Sequence, residues 1–428
     1  SDIAAVPQGM LEGIVCFEGS SMSHTAVVAN ALGVPAVMGT GPIRNLTVNC
    51  QLIVDGNQGE VIQSPTGSLL AEYRTLQNDQ RFLAKRLEKI RELPATSADG
   101  VEVTLYTNTG LLADMSPGIF NGAQGVGLYR TEIPFMIRTS FPSEEEQVAV
   151  YTQVLAAYRG KPVHMRTLDV GGDKPLPYFP VENEANPALG WRGIRFTLDN
   201  SQLLMTQVRA MIRAGSGTGN LRILLPMVSS TGELDSFREL LDDALTQLRS
   251  EGFEVKRPPL GVMVEVPAAI SQIPLWSGKL DFISIGSNDL SQYLLALDRN
   301  NPRVAVRYDH VHPAVLLEID RILRSAAAHN IPVSLCGEMA SDPVAVVLLL
   351  GLGLRTLSMS ATRIPQIKWL IRTLTLDTAE QLSREALACG YPADIRARVG
   401  KVLQAAGLGE LVNHSTLTDG DSLIAGAK

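Results

Sequence analysis

The sequence predicts an α/β protein built on a (β/α)8 barrel of the TIM type, preceded by a partial, smaller α/β unit and a long helix. Two observations carry this reading. Eight short β-rich runs, each followed by a helical stretch, recur within about 270 residues. Polar residues also collect at the C-terminal end of run after run, and in this fold that end carries the reactive groups. The chain of 428 residues has room for a barrel of roughly 250 residues and a smaller partner.

Residues 1–66 alternate short apolar runs ("GIVCFEG", "QLIVDGNQGEVI") with Gly, Asn and Asp turns, which predicts a small α/β unit. Inside it, "GSSMSHTAVVANALGVPAVMG" places Ser23 as an N-cap, a helix-compatible run from Thr25 to Leu32, and Gly33 with Pro35 as a stop. His24 therefore falls in the first turn. Free backbone N–H groups and the helix dipole favour an anion there and disfavour an imidazolium, so His24 is either a polar residue near a cap or a neutral nucleophile. Residues 67–94 then form an amphipathic connector: Leu69, Tyr73, Leu76, Leu83, Leu87 and Ile90 recur at steps of three and four, with Gln80 in the one polar slot and Pro94 beyond. Residues 95–395 hold the eight predicted strands, at "EVTLYTN", "AQGVGLY", "PVHMRTLD", "RILLPMV", "GVMVEV", "DFISIG", "IPVSLCGE" and "RTLSMS". A helical tail that turns polar from His414 fills 396–428.

The predicted strand ends carry Asn108, Arg130, Arg166, Glu265, Asn288 with Asp289, and Cys336. Arg130 and Arg166 can each grip a phosphate bidentately, and Lys174, after a Gly-Gly turn, adds a point charge. Glu265 and Asp289 end consecutive strands. Two carboxylates completed by substrate oxygens and water suit Mg2+, whereas the alternative is that each pairs with one of the arginines. Asn288 and Arg299 can hold a carboxylate. Cys336 is either a small buried hydrophobe or, at the mouth of a barrel near cations, a proton donor to carbon. A small phosphorylated carboxylic acid, Mg2+ and a proton exchanged at carbon satisfy all of these at once, and phosphoenolpyruvate has that chemistry.

Composition narrows the partners. The net charge is −7 with no basic block, which gives no support for a nucleic-acid surface or a polybasic membrane patch. Cys16, Cys50, Cys336 and Cys389 form no C-x-x-C pair, which argues against a disulfide framework or a zinc site and fits the cytoplasm. The most apolar run, Val344 to Leu354, is too short to span a bilayer, and the first residues do not resemble a signal peptide.

Several motifs in order, "MSHTAVVANALGVPAVMGTG", "GVGLYRTEIPFM", "RTLDVGGDKPLPYF", "NPALGWRGIRF", "VEVPAA", "GSNDLSQYLLALDR" and "CGEMASD", resemble enzyme I of the phosphoenolpyruvate-dependent phosphotransferase system across essentially the whole chain. The nitrogen-branch form is the nearer likeness. The related pyruvate phosphate dikinases usually follow their histidine with two alanines and lack "DVGGDK", so "SHTA" and "RTLDVGGDK" favour enzyme I. The resemblance implies that His24 is phosphorylated, and that Arg130, Arg166 and Lys174 bind the phosphoryl group. It further implies that Glu265 and Asp289 hold Mg2+, that Asn288, Asp289 and Arg299 contact the substrate, Asn288 and Arg299 through its carboxylate, and that Cys336 protonates the enolate. The implied products are pyruvate and a phosphorylated histidine phosphocarrier protein of the nitrogen-branch type, and the implied assembly is a homodimer through the barrel. In that family the histidine domain starts further upstream, so the expectation is a C-terminal portion whose residues 1–66 are a partial swivelling domain. A sugar-branch enzyme I, a dikinase-type transferase, a metal-dependent aldolase or lyase barrel, and a non-catalytic sensor of phosphoenolpyruvate are the competing readings.

Overall fold

Eight strands close into a parallel barrel in a computed structural model that describes residues 11–17, 34–43, 48, 50–56, 58–136, 138–171, 176, 178–179, 184–299 and 301–411. The expected His24 helix and Lys174 lie outside these residues. Contacts divide the chain into two units, one of which is Ile90–Gly409.

In the first unit, β1 (Ile14–Cys16) and β2 (Ala36–Met38) pair in parallel, and β3 (Leu52–Asp55) and β4 (Glu60–Gln63) form an antiparallel hairpin. The helix Gly67–Ile90 follows, and its Tyr73 hydroxyl donates to Asp55 Oδ2 at 3.0 Å, tying the helix to β3. Partial burial and the Asp55 carboxylate push the Tyr73 phenol up to about 12.

The barrel strands are β5 (Thr104–Thr109), β6 (Val126–Arg130), β7 (Val163–Arg166), β8 (Leu221–Leu225), β9 (Leu260–Val264), β10 (Phe282–Ile285), β11 (Val333–Leu335) and β12 (Thr356–Met359). Four of them, β7, β10, β11 and β12, fall inside the predicted runs, and the other four overshoot by one residue, β5 and β6 at their ends and β8 and β9 at their starts. Every neighbour pair is parallel, and β12 pairs β5 to close the ring. Helices cover the outer face while side chains fill the interior, so β7, β9 and β10 are buried at every position, and β9 accordingly reads as a continuous apolar run. The wall closes tightly at Gly127, where a Cβ would lie 2.3 Å from Ser358 Oγ.

Local signals start the outer helices. Ser143 and Glu146 form a reciprocal capping box at Glu144–Ala157, and Ser230 with Glu233 forms another at Thr231–Ser250. The helix Ser201–Gly215 turns Leu204, Val208, Met211 and Ile212 inward at helical spacing. The helix Pro392–Ala405 runs across the expected 395/396 boundary. Its Arg396 donates to Asp309 Oδ2 at 2.9 Å and to Asp342 Oδ2 at 2.8 Å, which fastens it to the barrel unit. Burial alone would raise the Asp342 carboxyl, but His310, 2.8 Å away, and Arg396 hold it well below the usual carboxylate range.

Below the mouth, His164 on β7 packs against Tyr106 and Phe282, and its Nδ1–H donates to the Val126 carbonyl at 2.8 Å. Burial lowers its pKa to about 4 from an ordinary value near 6.5. The unfolded chain therefore takes up a proton as pH falls through the ordinary value, while the folded chain refuses it until about 4. The stability tied to this residue is complete at neutral pH and is lost on acidification, by about 2 kcal/mol between pH 7 and pH 5. Urea unfolding at those two pH values, in the parent and in His164→Gln, should show a smaller pH loss in the variant by that amount. An identical pH loss would remove His164 as its source.

Candidate functional site at the barrel mouth

The residues expected at the strand ends come together at the C-terminal end of the barrel. Arg130 and Arg166 are the last residues of β6 and β7 and stand opposite each other in register. Glu265 follows β9, Asn288 and Asp289 lie in the first turn of the helix Ser287–Leu295 after β10, and Cys336 follows β11. Asn108, inside β5, spends its amide on the barrel: Nδ2 donates to the carbonyls of Cys336 at 2.9 Å and Ser358 at 3.3 Å, and Oδ1 accepts from Ser358 Oγ at 2.7 Å.

At the centre, charges of alternating sign form a chain. Arg166 pairs with Glu132 through Nη2 and with Asp169 through Nη1 at 3.1 Å. Asp169 also faces Arg192 Nη2 at 3.4 Å, and the same Nη2 lies 3.3 Å from Asp289 Oδ2. The other oxygen of Asp289 meets Arg299 Nη2 at 3.2 Å. Glu132, Arg166, Asp169, Arg192, Glu265 and Asp289 are all buried, so their charges interact through a medium that screens them far less than water does.

Backbone geometry sets the positions. Met227, after β8, adopts the left-handed region at φ 58, and its N–H donates to Glu265 Oε1 at 2.6 Å. A Cβ at Gly286 would lie 2.7 Å from Glu265 Oε2, so glycine leaves that oxygen its space. Gly171 takes φ +98 and bridges Arg192, where a Cβ would stand 2.1 Å from the Trp191 carbonyl. That approach lets the segment 191–193 fold back over the mouth with Arg192. Asn288 Oδ1 accepts from Glu338 N–H at 2.8 Å, which holds the loop after Cys336 against the loop after β10.

The Cys336 thiol is buried and directed at the Ile285 carbonyl, 3.6 Å away. Burial pushes it up to about 11, the Glu265 charge adds to this, and Ser284, Arg166 and Arg130 pull it back. It is therefore a protonated thiol at neutral pH. Burial and the charges of Asp289 and Asp169 raise Glu265 above the usual carboxylate range against the pull of Arg166 and Arg192. Among the described residues no group of three or more His, Cys, Asp or Glu could hold a metal ion by itself. Glu265 and Asp289 supply hard carboxylate oxygens of the kind Mg2+ takes together with substrate oxygens and water, so the donor set fits that ion.

The sequence reading did not assign Glu132, Asp169, Arg192 or Met227 to the site. Asp169 and Arg192 sit within the quoted runs "RTLDVGGDK" and "NPALGWRGIRF", but neither ends a strand, and strand ends were the signal available. Among the described residues no helix is long and apolar enough to cross a membrane.

Residues 84–376 match the family model described as PEP-utilising enzyme, PEP-binding domain, and residues 1–59 match that of the PEP-utilising enzyme, mobile domain. A protein of Escherichia coli (strain K12) named "Phosphoenolpyruvate-dependent phosphotransferase system" is 44% identical over 411 residues, covering 96% of this chain and 55% of its own length. Its counterpart in Salmonella typhimurium is 43% identical with the same coverage. A phosphoenolpyruvate-protein phosphotransferase of Staphylococcus carnosus is 39% identical over 397 residues, covering 92% of this chain and 69% of its own. The chain thus spans about half the length of the two enteric relatives.

Proposed function

The chain belongs to the PEP-utilising enzymes, and from that premise we propose that it moves the phosphoryl group of phosphoenolpyruvate onto His24 and then onto a histidine phosphocarrier protein, releasing pyruvate. The observation that carries this reading is the set of buried arginines and carboxylates at one barrel mouth, closed by a protonated thiol.

Arg130, Arg166 and Lys174 bind the phosphoryl oxygens. Arg166 Nε–H is a buried donor with no acceptor among the described residues, and a phosphoryl oxygen would supply one. Asn288 and Arg299 hold the substrate carboxylate. Glu265 and Asp289 would hold Mg2+, which when bound neutralises developing charge on phosphoryl and enolate oxygens. Neutral His24 attacks phosphorus in line, a P–N bond forms, and the P–O bond to the enol oxygen breaks. The enolate carbon takes the proton of the Cys336 thiol and becomes the methyl group of pyruvate, and the thiolate left behind recovers its proton from water. Arg166 and Arg130 stabilise that thiolate in the interval.

The nitrogen-regulatory branch is the finer reading, resting on the motif likeness, with a nitrogen-type carrier as acceptor, the cytoplasm as location and a homodimer through the barrel as assembly. Residues 67–94 act as the arm that carries the histidine domain between donor and acceptor.

Labelled phosphoenolpyruvate with Mg2+ is expected to leave acid-labile, base-stable phosphate on the chain, placed on His24 by mass spectrometry. His24→Ala removes the label while phosphoenolpyruvate still binds, and a chelator prevents labelling of the parent. Phosphate on another histidine would overturn the reading.

A further inference from the structure

Arg166 is held at its backbone as well as at its guanidinium. The β7 ladder ends there: Thr167 N–H still reaches the Leu224 carbonyl of β8 at 3.0 Å, after which the chain leaves the barrel wall. Side chains take over the next bonds. Thr131 Oγ1 donates to the Arg166 carbonyl at 2.7 Å, and Leu168 N–H donates to Gln207 Oε1 at 2.8 Å. Gln207 Nε2 in turn donates to Thr131 Oγ1 at 3.2 Å, which closes a ring of hydrogen bonds around residues 166–168. Behind the ring, the Tyr151 hydroxyl accepts from Gln207 Nε2 at 3.2 Å and donates to Gln147 Oε1 at 3.1 Å.

Gln207, Thr131 and Tyr151 are each at most 1% exposed. Gln207 lies on the inward face of the helix Ser201–Gly215, between Leu204 and Met211, where helical spacing asks for an apolar residue. An amide is costly in such a place unless both its ends are bonded, and here both are.

We propose that Gln207 is a positioning residue for Arg166: its amide replaces the missing strand bonds after β7 and fixes the backbone from which Arg166 reaches the phosphoryl group. This rests on the reading that Arg166 binds that group. Gln207 touches no reacting atom, and its effect is confined to ligands that carry a phosphoryl group.

The test is titration calorimetry on the full chain with Mg2+, using phosphoenolpyruvate and, as a probe without phosphoryl, oxalate. Gln207→Met keeps the length of the side chain and removes the amide. It is expected to weaken phosphoenolpyruvate roughly tenfold and to leave oxalate binding unchanged. Thr131→Val should do the same, and Thr131→Ser, which keeps the hydroxyl, should restore parent affinity. If Gln207→Met does not fold, the two Thr131 variants decide. Parent-like binding of phosphoenolpyruvate in the variants, or equal losses for both ligands, would overturn the assignment. Failure of the parent to bind phosphoenolpyruvate is a separate result, which overturns the functional reading and this inference with it.

Discussion

Replacement of Arg192 by methionine is expected to lower the unfolding free energy by about 3–5 kcal/mol and to cut turnover of phosphoenolpyruvate by roughly a hundredfold or more. Arg192 is 1% exposed and stands between Asp169 and Asp289. Its removal leaves two buried carboxylates facing each other, with Glu265 close enough to feel both charges. Desolvated like charges that have lost the counterion between them are an expensive defect in a core, even with Arg166 still on Asp169 and Arg299 on Asp289. Turnover suffers through Asp289, which is aimed by one guanidinium on each oxygen and keeps only Arg299 in the variant. Arg192→Lys retains the charge as a point and should recover part of the stability, but it lacks the rigid guanidinium whose Nη2 stands between both acids. Denaturant unfolding beside steady-state kinetics checks both halves. A methionine variant with parent stability and parent turnover would show that the alternating chain of charges carries neither.

The second large effect is expected at Cys336. With serine in its place, exchange of the pyruvate methyl protons in deuterated water, followed by NMR, should slow about 10²–10⁴-fold, the range for removing a positioned acid or base. Phosphoenolpyruvate affinity should stay at the parent value, since the proposed phosphoryl and carboxylate contacts do not include the thiol. In the parent the same exchange has a predictable pH dependence. Abstraction of a methyl proton needs the thiolate, and a thiol pushed up to about 11 yields about ten times more thiolate for each pH unit across the neutral range. The exchange rate should climb accordingly. An exchange rate in Cys336→Ser equal to that of the parent would reduce the cysteine to a packing residue beside Leu128, Leu224, Met263 and Phe282.

Strand ends made most of the candidate site legible. Glu265 stands one residue beyond Val264, and Arg130 and Arg166 are the final residues of their strands. Parallel strands covered on both sides are largely apolar, so a polar residue at the end of a run marks where the chain emerges at the mouth. By that rule the sequence by itself determined the (β/α)8 barrel, the order of its strands, and the gathering of Arg130, Arg166, Glu265, Asn288, Asp289 and Cys336 at one end.

Only the tertiary structure decided the contacts that no strand end announces. Arg192 meets Asp289 across 97 residues of sequence, from a segment that folds back over the mouth through the left-handed Gly171. Met227 gives its N–H to Glu265 across 38 residues because its own backbone turns into the left-handed region, which an ordinary methionine gives no reason to expect. Gln207 reads as a polar interruption of a helix face until Leu168 and Thr131 are seen against it. Periodicity and strand ends report what the chain does over a turn or a pleat. Which distant charge, amide or carbonyl satisfies a buried polar group depends on packing the chain into three dimensions, where burial makes an unpaired partner too costly to leave.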